Sequence, residues 1–341
     1  MSGPARKFGI AVIGLGRMGV IHARSILLSP RARLKWIVRH KVEEARSFAD
    51  TFDSPIQCVG PGQLDSVLGD HSVDGVVICS PTSQHETVIR AAVDAGKAVF
   101  SEKPITPDVD STRSCYEMAE AKGIPLLCAF HRRFDPSLMA VKASVETGQS
   151  GRLRLLRCSS HDHQPPTIDY IKHSGGILKD STIHDLDMAL WMTASPARRV
   201  YVQGRAFDPD VRSAGDLDLV VVSVEHESGS VSVIDNGRRC AHGYDQRLEA
   251  ICEDGSYVVT NRATHQLYTH GTGGSTSPGI DAGFDTRYPQ AYLNEMEHFL
   301  DILSGSATPK VTKQDTVSAM ELAEAAATSA LTGQVVNIGD V

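Results

Sequence analysis

The sequence predicts a doubly wound α/β domain on a parallel sheet, followed by an α+β domain whose sheet is mostly antiparallel. Three observations carry this. The chain has 341 residues, and compact domains usually run to about 100–200 residues, so the length suits two of them. Residues 8–129 alternate short apolar runs with helix-length stretches, the rhythm of βαβ units. Beyond residue 132, strand-like runs follow one another through turns, which favours antiparallel pairing.

In the first domain, residues 5–131, strands are expected at 8–13, 34–38, 75–79, 98–100 and 125–129. Each is short and apolar, as strands buried on both faces should be. Helices are expected between them at 42–51, 85–95 and 111–122. In the second domain, residues 132–338, strands are expected at 153–159, 218–225, 231–236 and 246–251. Helical stretches mark 180–192, 291–303 and 316–331, and the Gly/Ser/Thr-rich segment 270–283 reads as a loop.

Composition narrows the function. Hydrophobic residues make up 41% of the chain, which with its 29 glycines is ordinary for a globular protein and excludes disordered and fibrous classes. The net charge of −7 has the wrong sign for tracking nucleic acid or an anionic membrane. Seven scattered cysteines without a C-x-x-C pair suggest neither a disulfide framework nor a zinc site, so a reducing, cytoplasmic setting is expected. No apolar run approaches the ~18 residues of a membrane span, and the apolar stretch after Arg6 and Lys7 runs into glycines rather than a cleavage site, so it reads as the first strand.

Directly after that strand stands Gly14-Leu15-Gly16-Arg17-Met18-Gly19, then a helical run. Glycines at this spacing permit a tight turn, approach of a pyrophosphate and close helix packing, while a helix N-terminus attracts phosphate. About 20 residues on, at the end of the second strand, an acidic residue would bind the adenosine ribose and disfavour a 2′-phosphate. Here the chain reads Val38-Arg39-His40-Lys41. A guanidinium can grip a phosphate bidentately or stack on adenine, so NADP is expected to be accepted, slightly ahead of NAD, with Arg39 and His40 at the adenosine end. The same residues also suit a solvated basic turn. Further cofactor contacts are expected from Ser80, Thr82 and His85 after the 75–79 strand, where Ser80 or Thr82 suits helix capping equally well.

Two clusters carry chemistry. Ser101-Glu102-Lys103-Pro104 follows a strand, and Pro104 biases Lys103 toward extended geometry, aiming its ammonium over the sheet edge where nicotinamide would lie. It could there stabilise an alkoxide forming as hydride leaves carbon; a plain solvated lysine is the other reading. In Gly175-Gly176-Ile177-Leu178-Lys179-Asp180-Ser181-Thr182-Ile183-His184, a helix would set Asp180 and His184 at i and i+4, the carboxylate orienting an imidazole able to take a proton. Asp180 also fits a simple helix cap.

These motifs, with His131-Arg132-Arg133-Phe134-Asp135-Pro136 and Gly243-Tyr244-Asp245-Gln246-Arg247-Leu248-Glu249, resemble the Gfo/Idh/MocA oxidoreductase family and its inositol dehydrogenase branch over nearly the whole chain. The resemblance implies a Rossmann domain followed by a domain with an open, largely antiparallel sheet whose outer face forms a homo-oligomer interface, in a dimer or tetramer. It implies Lys103, Asp180 and His184 as catalytic residues, with Glu102 and Lys103 also at the cofactor. Substrate contacts would come from Lys103, Arg132, Asp162, Asp180, His184 and Tyr244. The chain departs from the family pattern at the missing second-strand carboxylate, at His131 and in the histidine-rich loop His161-Asp162-His163. The spacing of those histidines does not suit a metal, and none is expected.

The expected function is therefore NAD(P)-dependent oxidation of a secondary hydroxyl on a cyclic polyol or sugar, in the manner of a myo-inositol dehydrogenase. An NADPH-dependent reductase of a keto-sugar or anhydro-sugar is the alternative within the family. From another class, a dinucleotide- and sugar-sensing regulator can be built on the same fold; it would have little reason to keep Lys103, Asp180 and His184 together.

Overall fold

The computed structural model describes residues 6–339, so residue 5, the expected start of the first domain, lies outside it. The apolar runs of the first half pair in parallel as six strands: β1 (Phe8–Ile13), β2 (Ala32–Val38), β3 (Gln57–Val59), β4 (Gly75–Ile78), β5 (Ala98–Glu102) and β6 (Leu126–Ala129), in the order β3-β2-β1-β4-β5-β6. Strands β4, β5 and β6 are buried throughout, which is why they are apolar runs rather than alternating ones, apart from Ser101 and Glu102 at the end of β5. The edge strand β3 was not legible, being three residues with a polar, exposed start. Helices α1 (Arg17–Leu28), α2 (Val42–Ala49), α3 (Leu64–Gly69), α4 (Thr82–Asp94) and α5 (Val109–Ala121) connect the strands.

The second half begins with α6 (Pro136–Glu146) and strand β7 (Leu153–His161). The expected single helix over 180–192 is two helices, α8 (Ile177–Asp180) and α9 (Ile183–Thr193), preceded by α7 (Ile168–His173). A wide turn separates them, in which the Thr182 amide reaches back to the Ile177 carbonyl at 2.8 Å, one residue further than an α-helical bond. Asp180 and His184 therefore do not share an uninterrupted helical face.

Strands β8 (Ala197–Arg205), β9 (Leu219–His226), β10 (Val231–Gly237), β11 (Asp245–Cys252) and β12 (Ser256–Val259) follow, with α10 (Pro209–Ser213) after β8. A short exposed hairpin, β13 (Thr269–Gly271) with β14 (Gly274–Thr276), occupies part of the segment read as a loop. The chain ends with α11 (Phe284–Arg287), α12 (Pro289–Leu303), α13 (Lys313–Thr332) and β15 (Val336–Asn337). The sheet order is β12-β11-β7-β10-β9-β8-β15, and every pairing is antiparallel except β7 with β10. Burial alternates along β9 and β10, as expected of a sheet with one covered face.

The fold divides into two compact units, residues up to Phe134 with Gln290–Val317, and Asp135–Pro289 with Ser318 onward. Thus α12, placed by sequence in the second domain, packs with the parallel sheet. Phe299 explains its position. Its ring meets Phe100 edge-on at 5.6 Å, and a side chain at Gly75 would come within 2.9 Å of it. Outside, Arg31 bonds Glu297 and Asp301 on the same helix at 3.0 and 2.7 Å.

In the second unit, Asp135 caps α6 by accepting from the amides of Ser137 and Leu138, both at 3.1 Å, while its other oxygen takes the Arg287 guanidinium at 2.9 Å. Both side chains of this pair are buried. Asp135→Ala removes the cap and strands the guanidinium, and the expected loss is about 3–5 kcal/mol in a denaturant titration. Asp135→Asn, which keeps the cap acceptor, should lose less.

Candidate active site

One group of candidate residues stands at the carboxyl ends of the parallel strands, and a separate group stands on the 161–184 and 237–245 segments of the other unit. Strand order reverses between β1 and β4, and the turn after β1 lies at that switch point, where open α/β sheets bind ligands. The three glycines of the turn divide their work. Gly14 has φ +97°, and a side chain there would lie 2.6 Å from the backbone of Cys79 and Ser80. One on Gly19 would lie 2.0 Å from the Gly14 carbonyl oxygen, so both are demanded by packing of α1 onto β1 and β4. Gly16 has nothing within 4 Å of where its side chain would stand. It is also the N-cap of α1 and supplies no side-chain hydrogen bond to the helix. Exposed amide donors facing open space, with the helix dipole behind them, fit a dinucleotide pyrophosphate. Arg17 and Met18 begin the helix beside it.

Arg39 follows β2 as expected, half-buried, with His40 exposed beside it. Its guanidinium, however, pairs with Glu44 on α2, which also takes Lys41 at 3.1 Å. The hydrogen bond from Lys41, with the charge of Arg39, holds the Glu44 carboxyl below its usual range. An acidic group therefore does stand beside Arg39, five residues later than the fingerprint places one.

Thr82 is the first residue of α4, which has Pro81 as its N-cap and no side-chain cap, so neither Ser80 nor Thr82 caps the helix. The buried Ser80 hydroxyl has no protein partner, which leaves it available to a ligand. His85 is almost wholly buried, its ring nitrogens 2.9 and 2.8 Å from the carbonyl oxygens of Pro104 and Ser80. Burial pushes its pKa down, against the pull of those carbonyls. It braces the loops after β4 and β5 rather than facing outward. Glu102 likewise turns inward, to His22 and to the backbone amide of Lys103. Lys103 itself is half-buried at the end of β5. Arg132 lies buried in a 3-10 turn, His131–Phe134, just past β6, where Arg133 pairs with Asp315 at 3.1 Å and the His131 ring stacks on Tyr292 at 4.7 Å.

In the second unit, sheet register gathers a second group. His161 at the end of β7 is opposite both Gly237 of β10 and Asp245 of β11, so Asp162, Arg238 and Tyr244 stand at one end of three adjacent strands. Arg238 is fully buried. It holds Asp216 at 2.6 Å and faces the Asp180 carboxylate at 3.9 Å, and Asp180 also accepts from the Tyr170 hydroxyl at 2.9 Å. Asp216 in turn accepts the Ile177 amide at 3.0 Å, next to Gly175 and Gly176, both at φ above +80°. Those glycines serve the turn into α8, and a side chain on Gly176 would crowd Asp216 at 3.2 Å.

His184 opens α9, which is anchored by buried polar groups beneath it. Asp185 accepts from Ser160 at 2.6 Å and from Asn236 at 3.5 Å, and Gln246 accepts from Ser160 and Tyr288. Tyr244 meets Tyr288 edge-on at 6.3 Å. Sequence reasoning missed His22, Tyr170, Asp216 and Arg238. None lies in a motif, and their partners are 10 to 80 residues away along the chain.

Among the described residues, Cys240, His242 and Asp245 bring potential metal-binding atoms within 4.8 Å of one another. Both oxygens of Asp245 are already committed, to Arg247 at 2.7 and 2.9 Å and to Asn261 at 2.6 Å, so a cation there would compete with a guanidinium. His163 and His161 point elsewhere, to the Cys240 carbonyl and to Asp235. No described helix is long and apolar enough to cross a membrane.

The chain is similar to known proteins over nearly its whole length. Residues 8–130 match the model of an oxidoreductase family with an NAD-binding Rossmann fold, and residues 138–258 match the GFO/IDH/MocA C-terminal domain. The chain is 34% identical to an inositol 2-dehydrogenase of Rhizobium meliloti, covering 95% of this chain and 96% of that one. It is also 34% identical to a myo-inositol 2-dehydrogenase of Thermotoga maritima, covering 93% and 94%. A crystal structure of scyllo-inositol dehydrogenase from Lactobacillus casei with bound NAD(H) and scyllo-inositol aligns with TM-score 0.90 and 26% identity, over 98% of this chain and all of that one. The chain belongs to the Gfo/Idh/MocA oxidoreductase family.

Proposed function

We propose that the protein oxidises a secondary hydroxyl of a cyclic polyol, with an inositol as the first substrate to test. The observation that carries this is the placement of Lys103 at the carboxyl end of β5, on the same sheet edge as the open phosphate turn at Gly16. Likeness to named inositol dehydrogenases over nearly the full chain supports the substrate class. Gly14, Gly16 and Gly19, with Ser80, would hold the dinucleotide, which when bound accepts the hydride from the hydroxyl-bearing carbon. His184 takes the hydroxyl proton, and Asp180, directed by Tyr170 and Arg238, orients the imidazole. The Lys103 ammonium stabilises the negative charge developing on that oxygen. Arg132, Asp162 and Tyr244 supply polar groups to the remaining hydroxyls. Exposed Val221 and Val258 on the second sheet suit a homo-oligomer contact, and free cysteines suit a reducing cytoplasm.

For the cofactor, Arg39 favours acceptance of NADP as well as NAD, while its pairing with Glu44 opposes a strong preference. Arg39→Asp should lower kcat/KM for NADP by about 10- to 100-fold with little change for NAD, since it removes a charge-assisted hydrogen bond to the 2′-phosphate. Glu44→Gln should move preference toward NADP. Equal response of both cofactors to these substitutions would remove Arg39 from the adenosine site.

Lys103→Ala and His184→Ala should each bind cofactor normally by fluorescence titration and lose turnover by about 100-fold or more on an inositol panel. Near-normal turnover in either variant would defeat the assignment. Tight cofactor binding by the wild type without turnover of any polyol or keto-sugar would point to a sensor instead.

A further inference from the structure

One buried carboxylate joins the cofactor helix to Lys103. His22 lies on α1, six residues beyond its Gly16 cap, and is fully buried. Its Nε2 is 2.7 Å from Glu102 Oε1, and Glu102 Oε2 accepts the Lys103 backbone N–H at 3.2 Å. The imidazole is held by aromatic edges, with ring centroids 4.8 Å from Phe100 and 5.7 Å from Tyr292. A second carboxyl, Glu295, is buried nearby on α12 without a hydrogen-bond partner. Burial, and then the neighbouring Glu102, push its pKa well above the usual range.

We propose that His22 and Glu102 are positioning residues that transmit the seating of the dinucleotide phosphates at the N-terminus of α1 to the backbone of Lys103. A carboxylate bonded at both oxygens has no slack, so a shift of α1 is passed to the amide that sets where the lysine side chain begins. The role of Lys103 itself rests on the function proposed above. The alternative, that this contact only stabilises the core, predicts no selective effect on Lys103.

Amide hydrogen exchange of peptides covering α1 and residues 101–106, with and without NAD or NADP, tests the link. In the wild type, cofactor should slow exchange at both places. In His22→Leu, slowing at α1 should persist and slowing at Lys103 should vanish. In the same variant kcat should fall about 10- to 100-fold, as for a misplaced catalytic group, with cofactor Kd within about threefold of wild type. His22→Gln, whose amide can still donate to Glu102, should recover most of both signals. Should His22→Leu not fold, His22→Asn, too short to reach Glu102, takes its place. Retained cofactor-dependent slowing at Lys103 in His22→Leu, no slowing there in the wild type, or failure of His22→Gln to improve on His22→Leu would each overturn the proposal. If the wild type turns over no polyol, the dehydrogenase reading fails while hydrogen exchange still decides the link.

Discussion

The parallel-sheet unit depends on how closely α1 lies against β1 and β4. The Gly19 position leaves 2.0 Å between a hypothetical side chain and the Gly14 carbonyl, and Gly14 leaves 2.6 Å to the backbone after β4. Only backbone fits in that space. From this one approach the rest follows. Helix α1 must start at the strand-order reversal, its amides must point into the opening at Gly16, and its second turn must bring His22 against the end of β5. The open turn at Gly16 and the anchoring of the Lys103 backbone are thus consequences of a packing constraint between glycines.

The other unit solves a different problem. Its sheet is covered on one face only, and the end of that face carries charges and amides rather than a greasy core: Asp185, Ser160, Asn236, Gln246, Asp216 and Arg238. Buried polar groups are costly unless they are bonded to one another. Here they are bonded across elements, Ser160 of β7 to Asp185 of α9 and Asp216 to the amide that starts α8. The wide turn at 181–182 is therefore pinned from both sides, and His184 emerges from a rigid base.

The fold was legible wherever one local rule dominated. Continuous apolar runs mark the parallel strands, and a glycine pattern between a strand and a helix marks the tight turn from β1 into α1. Legibility failed where tertiary context decided. β3 is three residues long with no apolar signature, and α12 has the same amphipathic pattern whichever unit its Phe299 stripe covers. The 180–192 stretch reads as one helix because periodicity cannot register a single wider hydrogen bond. Among the candidate residues, Lys103, Asp180 and His184 stand out by motif, whereas Arg238 and His22 gain their significance from partners far along the chain. The inward turn of Glu102 was beyond reach for the same reason: its neighbour in sequence is Lys103, but its second partner is 80 residues away.

That inward turn also bears on why so polar a cluster sits in an apolar interior. Burying a carboxylate against an imidazole contributes little net stability once desolvation is counted, and a well-packed apolar pair often does as well. Direction is what an apolar pair lacks. Leucine at position 22 would fill the space beside Phe100 and Tyr292 yet leave Glu102 without the His22 partner that fixes it, and leucine at position 102 would leave the Lys103 amide without its acceptor. Glu295 adds a second buried carboxyl to the same interior, its pKa pushed well above the usual range by burial and then by the neighbouring Glu102. The interior behind β5 is organised less to hold the sheet together, which its apolar strands already do, than to fix the origin of one lysine side chain.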